Sequence, residues 1–399
     1  MFKKYIKILV ILLVAGLTSC SFYKEKAEKM IYEFPKLTGQ YKVGTMQRHI
    51  VDQNRQEPNN PSEKRELMAQ LWYPADIKYE NPLEVYGKTE LESAKAAYRD
   101  LKFSEEDISC LDRTFCHAIS DAVPLKNHKF PVVIFSHGYG TSPSIYAALC
   151  EELASNGFVA VAISHTYYTY QTIFPDGRTI SASPEKLQTP PTSNDFKIWL
   201  DDVKCVLEQI KKWNLDSSDA FSGLFDMEKI GIFGHSYGGA VAFEMTATDP
   251  EIKTGIALDV GLFGQATLSD MHKPFMFIMG GTSVQNLYLS DEELAQKFSQ
   301  PVELVKKNRE QMHDQLQDSL ETHKKIAKEL NLTTNPSCVI IPNLEHGGFA
   351  DLLIYKELKL PVHKDQMKTI DMQTGLVNGF EVNKMLNEYI VNFFNKNLR

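Results

Sequence analysis

Ser236 lies in Gly234-His235-Ser236-Tyr237-Gly238, after the apolar run Ile230–Phe233 and before a helix-compatible stretch from Gly239. A glycine-flanked serine in that context is the pattern of a nucleophile elbow. The strand-to-helix turn is so tight that the serine must take strained backbone angles. A side chain at Gly234 or Gly238 is expected to collide with the neighbouring strand or helix. A serine hydroxyl is a weak nucleophile near neutral pH. It needs a base to remove its proton and an acid to orient that base.

The chain order for such an elbow is Ser, then Asp or Glu, then His. His346 directly follows an apolar run, Cys338–Ile341, and precedes Gly347-Gly348, which allow a sharp loop back toward the serine. His272 precedes its strand, His313 and His323 fall in a charged helical segment, and His363 follows Pro361 in a polar stretch. His346 is therefore the expected base. For the acid, Asp259 ends the run Gly255-Ile-Ala-Leu-Asp259, 259 − 236 = 23 residues past the serine. Asp291 and Glu292 follow the next strand and compete for the role. The oxyanion formed in acyl transfer needs two backbone N–H donors. Tyr237, after the serine, supplies one. Tyr139, in Ser136-His137-Gly138-Tyr139-Gly140, is expected to supply the other, with His137 structural.

The elements around these residues alternate. Val132–Phe135 and Phe158–Ile163 read as strands buried on both faces. A helix is expected near 143–156 and another at Phe196–Trp213. The elbow, a strand at Thr254–Leu258, a strand at Pro274–Met279 and a final helix near Val382–Asn395 continue the pattern. Alternation of this kind predicts a mostly parallel sheet with helices on both faces. Sites in such sheets lie beyond the carboxyl ends of the strands. Upstream, Lys42–Ile50 and Glu66–Tyr73 read as strands with a polar turn, Asp52–Glu63, between them. Residues 76–128 form a charged connection with a helix around Glu90–Leu101. Residues 290–332 read as charged helices. The aromatics of 167–193 are candidates for an acyl-site lining.

The chain has 399 residues with 43% hydrophobic content and no linker or repeat, which predicts one large domain over 41–399. Residues 1–19 read as a signal peptide, with Lys3, Lys4 and Lys7 before an apolar stretch too short to span a bilayer comfortably. Leu17-Thr18-Ser19-Cys20 has the pattern of a bacterial lipobox, so Cys20 is expected to carry a lipid and residues 20–40 to form a tether. Removing residues 1–19 removes three lysines and no acid, so the net charge goes from −8 to −11. An acidic body argues against nucleic acid as a partner. It leaves the lipid as the means of staying at a membrane of the cell envelope. Of the other cysteines, Cys150, Cys205 and Cys338 read as core residues, and no spacing is that of a zinc site. Cys110 and Cys116 are close enough for a local disulfide in an oxidising compartment.

From about Leu67 onward the chain resembles the plasma-type platelet-activating factor acetylhydrolase family. The likeness rests on Leu71-Trp72-Tyr73-Pro74, Phe135-Ser136-His137-Gly138-Tyr139-Gly140, Glu152-Leu-Ala-Ser-Asn-Gly157-Phe158-Val, the elbow at 234–240, the run ending at Asp259, and His346-Gly-Gly-Phe349-Ala-Asp351. The resemblance implies an α/β-hydrolase fold. It implies Asp259 rather than Asp291 as the acid, and oxyanion donors matching Tyr139 and Tyr237. The reaction it implies is hydrolysis of short or oxidised sn-2 acyl chains of phospholipids, without metal or cofactor. Three places depart from the family pattern: Tyr237 where Phe is usual, Gly347-Gly348 where Gln-Asn is usual, and Ser164–Tyr168 after the fourth strand. They surround the substrate pockets and put substrate choice, not reaction type, in question. The alternatives are a general carboxylesterase on small-molecule or polyester substrates and an inactive lipid-binding lipoprotein.

Overall fold

The computed structural model describes residues 32–78, 84–85, 88–100, 102–126, 128–189, 191–286, 288–298, 300–311, 337–358 and 364–399. Nine strands form one sheet: β1 (Val43–Glu57), β2 (Asn60–Pro74), β3 (Ile119–Ser120), β4 (Phe130–Ser136), β5 (Val159–Ser164), β6 (Phe225–His235), β7 (Ile252–Leu258), β8 (Phe275–Gly280) and β9 (Ser337–Ile341). Their spatial order is β9-β8-β7-β6-β4-β5-β2-β1-β3. From β9 to β5 every neighbouring pair is parallel, whereas β2 runs antiparallel to both β5 and β1. The expected mixed α/β architecture is observed.

Why both faces are covered follows from the run 132–135. Side chains alternate across a strand. Val133 and Phe135 enter one apolar cluster with Leu153 and Phe394, and Val132 and Ile134 enter a second with Trp199 and Val203. The first cluster includes residues of helices α2 (Ala147–Ser155) and α5 (Gly379–Leu398). The second takes α3 (Ser193–Leu215) and α4 (Tyr237–Thr248). Helix α3 starts at a reciprocal cap, Thr192 with Asp195, and buries Phe196, Trp199, Val203 and Val206 at helical spacing. The remaining helix that matters here is α1 (Lys88–Asp100), close to its expected span.

Two expectations need correction. The stretch 52–63 is not a polar turn. The strands continue to Glu57 and restart at Asn60, because this end of the hairpin is held by charge: Arg65 pairs with Glu57 at 2.7 Å, and Arg55 reaches Asp202 of α3 at 2.8 Å. Residues 32–40 do not form a free tether. Tyr32–Glu33 pairs with Thr114–Cys116, Tyr32 and Phe34 are buried, and the Thr38 amide donates to Glu152 at 3.1 Å. Residues 1–31, with Cys20, lie outside the described residues. The pairing of Cys110 with Cys116, which the sequence left open, is not formed: no disulfide joins them.

Candidate active site

β6 delivers Ser236 into a left-handed backbone conformation, φ 55° and ψ −124°, immediately before α4 begins. The flanking glycines are needed sterically. A Cβ on Gly234 would stand 2.1 Å from the carbonyl oxygen of Gly238, and one on Gly238 would stand 2.1 Å from that of Ser136. These are backbone atoms of the helix and of β4, so neither contact is relieved by a rotamer change.

Asp259 and His346 arrive from the carboxyl ends of β7 and β9. His346 Nε2 is 2.9 Å from Ser236 Oγ, and His346 Nδ1 is 2.6 Å from Asp259 Oδ2. The other carboxylate oxygen accepts the Gly280 amide at 2.8 Å. Asp291, the competing acid in the sequence, pairs with Arg309 at 2.9 Å and takes no part in this chain.

Burial raises the pKa of Asp259, but hydrogen bonding and charge from His346, with the Gly280 amide, outweigh it and hold the carboxyl below its usual range. For His346 burial acts downward, and the bond and charge from Asp259 win, so its pKa is raised. The imidazole is nonetheless open at its outer side, with 54% of the side-chain surface exposed, so substrate can reach it. His235, beside Ser236, behaves oppositely. Burial first, then the charge of His346, push its pKa down to about 3, so it is neutral. Its Nδ1 is 2.8 Å from the Tyr146 hydroxyl, and its ring lies 4.6 Å from that of His346.

The Tyr139 and Tyr237 amides are placed on either side of the serine in sequence terms: one on the loop leaving β4, the other at the first residue of α4. Neither amide donates a backbone hydrogen bond among the described residues. Their rings meet edge to face at 5.5 Å. His137, expected to be structural, is fully buried with Nδ1 2.7 Å from the Gly138 oxygen.

Ser236 and His346 open into a cavity of about 150 Å³ walled by Tyr98, Tyr139, Tyr146, Tyr170 and Leu352. From the aromatic excursion at 167–193, Tyr170 lines it, while Tyr168 and Phe174 are buried packing residues. Tyr98, Tyr146 and Gln373 had no sequence signal. Each comes from a different segment, and only folding brings them to the same wall.

Residues 26–172 match the family "Platelet-activating factor acetylhydrolase, isoform II", and residues 127–335 match "Serine aminopeptidase, S33". The platelet-activating factor acetylhydrolase of Cavia porcellus is 28% identical over 272 residues, covering 60% of this chain and 57% of that protein. A probable 1-alkyl-2-acetylglycerophosphocholine esterase of Arthroderma benhamiae is 27% identical over 166 residues, 40% of each chain. The chain thus spans between 40% and 57% of the length of these curated relatives. A ferulic acid esterase from Streptomyces cinnamoneus superposes with a TM-score of 0.69 over 93% of this chain and 94% of that one, at 23% identity, which shows a shared fold. With more than half of its residues inside the second family match, the chain belongs to the α/β-hydrolase family described as serine aminopeptidase, S33, and is a homologue of the platelet-activating factor acetylhydrolases.

Proposed function

We propose that this protein is a serine esterase that hydrolyses short or oxidised sn-2 acyl esters of phospholipids. The observation that carries the reading is the unbroken hydrogen-bond chain Asp259–His346–Ser236 at the mouth of a largely apolar cavity. His346 takes the Ser236 proton as the oxygen attacks the ester carbonyl. Asp259 holds the tautomer with Nδ1 protonated and stabilises the imidazolium. The negative charge on the carbonyl oxygen is met by the Tyr139 and Tyr237 amides and by the positive end of α4. His346 returns the proton to the departing alcohol. Water then repeats the sequence on the acyl-serine, and the acid is released. The tyrosine-walled cavity supports a short acyl group over a long saturated chain. Likeness to relatives named as a platelet-activating factor acetylhydrolase and a probable 1-alkyl-2-acetylglycerophosphocholine esterase supports the same choice.

The reading includes a location. Cys20 in Leu17-Thr18-Ser19-Cys20 is the lipid-bearing residue, and it keeps the acidic hydrolase domain on a bacterial envelope membrane, near phospholipid.

The test is a substrate panel of short p-nitrophenyl esters, sn-2 acetyl phospholipid and long-chain phospholipid, run beside labelling with a fluorophosphonate. Wild type is expected to label and to cleave the acetyl phospholipid, and Ser236→Ala to do neither. Labelling with cleavage of simple esters only would replace this reading by a general carboxylesterase. Absence of labelling would leave a lipid-binding protein.

A further inference from the structure

Behind the loop that carries Tyr139 runs a line of polar groups sealed from solvent. Arg65 and Asp202 are both buried to 0% exposure and are joined twice, Nε to Oδ1 at 3.1 Å and Nη2 to Oδ2 at 2.6 Å. Asp202 Oδ2 lies 3.0 Å from His165 Nδ1, and His165 Nε2 lies 3.0 Å from Ser136 Oγ. The residue types repeat those around Ser236. Ser136, however, has no exposed surface, so no ester reaches it.

Proton positions along this line follow from the donors. Asp202 is ionised, because Arg65 and His165 outweigh the effect of burial. A carboxylate only accepts, so His165 Nδ1 carries a proton and its Nε2 accepts from the Ser136 hydroxyl. The backbone N–H of His165 donates to His137 Nε2 at 3.3 Å. His137 Nδ1 must then carry the proton, and it donates to the Gly138 carbonyl oxygen at 2.7 Å. Burial keeps both imidazoles neutral.

The Gly138 oxygen is a point of convergence. It also accepts from the Thr141 amide at 2.9 Å and from the Thr141 hydroxyl at 2.8 Å. That carbonyl belongs to the same peptide group as the Tyr139 N–H. A trans peptide is planar, and its C=O and N–H point in opposite directions. Fixing the oxygen therefore aims the N–H, and hydrogen bonds to the oxygen polarise it. Trp199 fills the space between the parts. It stacks on His165 at 3.8 Å and meets the rings of His137 and Tyr237 at 5.0 Å each.

We propose that the His165 backbone N–H and the His137 imidazole form a buried relay that orients and polarises the Tyr139 amide as an oxyanion donor, while the Arg65–Asp202 pair holds the His165 ring beside it. These are positioning residues, and the proposal rests on the reading of Tyr139 given above. A feature of the relay is that it acts through one peptide group without touching substrate.

The experiment compares His137→Phe, which keeps a ring and loses the donor to Gly138, with His137→Asn, which keeps an N–H near the Nδ1 position. His137→Phe is expected to lower kcat on p-nitrophenyl acetate about tenfold with KM changed by less than about twofold, part of the roughly 10²–10³ lost with a whole oxyanion donor. Affinity for a trifluoromethyl ketone, which presents an oxyanion, falls by the same factor as kcat/KM. His137→Asn recovers most of both. A second readout needs no turnover: in protein labelled with 15N-tyrosine, the Tyr139 amide proton moves upfield in His137→Phe and returns in His137→Asn. Wild type without esterase activity would remove the functional reading, and the amide resonance would still judge the relay. An unmoved Tyr139 resonance overturns the relay, as does equal activity loss in the Phe and Asn variants. Should His137→Phe not fold, His137→Leu, which also loses the donor to Gly138, carries the same two readouts with the same meaning.

Discussion

Asp259 reaches His346 Nδ1 at 2.6 Å from a backbone held at φ 47°, itself in the left-handed region. Both ends of the hydrogen-bonded chain, Ser236 and Asp259, thus stand on strained residues at the carboxyl ends of adjacent parallel strands. The Gly280 amide from the next strand secures the free carboxylate oxygen. Geometry of this kind leaves His346 one dominant orientation, and several consequences can be measured.

The pH profile should report His346. Its pKa is raised by Asp259 against the effect of burial, and the base must be neutral to accept the serine proton. Activity therefore rises with pH through an acid limb lying above the ordinary histidine value of about 6.5. Asp259→Asn removes the raising influence, so the limb moves to lower pH while kcat falls by roughly 10⁴. A limb that stays in place in Asp259→Asn would show that the carboxylate does not act on this histidine.

Stability has its own pH dependence. Asp259 titrates below its unfolded value, so its contribution is present above that value and is lost as pH falls through the folded pKa. His346 titrates above its unfolded value, so its contribution is present at low pH and is lost as pH rises through the folded pKa. Urea midpoints of wild type and Asp259→Asn should differ more at pH 6 than at strongly acid pH. Equal differences across that range would contradict the assignment.

Gly238→Ala tests the elbow. The added Cβ meets the backbone oxygen of Ser136 at 2.1 Å, so β4 and α4 must separate. The expected destabilisation is about 3 kcal/mol or more. Urea unfolding measures it, and a loss under about 0.5 kcal/mol, the range of an ordinary surface change, would mean the turn is slack.

Arg65→Met tests the buried charges. It removes the cation that Asp202 and Glu57 share and leaves Asp202 with only the partly exposed Arg55, at 2.8 Å. Removing one partner of a buried pair costs about 3–5 kcal/mol, and the surviving Arg55 contact puts the expected loss toward the lower end. The double variant Arg65→Met with Asp202→Leu should recover part of that loss. Chemical denaturation of the pair of variants decides it, and a neutral single variant would count against the charge argument.

Cys20→Ser tests the anchor. The variant is expected to leave the membrane fraction or to remain unprocessed, while its hydrolysis of soluble short esters is unchanged. Normal processing and membrane retention in fractionated cells would remove the lipobox reading.

Much of this molecule is local chemistry and is legible in the chain. Ser236, its glycines and the β–α alternation depend on contacts within a few residues, where sterics and hydrogen bonding leave few choices. His346 was readable because an apolar run and two glycines flank it. The residue pattern alone left Asp259 and Asp291 open, since each follows a strand; the fold separates them by which strand end faces His346. The hairpin through Glu57 read as a turn because its polar surface hides the buried Arg65 anchor, and Arg65 meets Asp202 across 137 positions of chain. Tyr98, Tyr146 and Gln373 converge from segments with no shared periodicity. Local sterics and hydrophobic spacing set the elbow and the strands, but the pocket wall, the choice of acid and the polar line behind Tyr139 arise from long-range packing, which no short window of residues encodes.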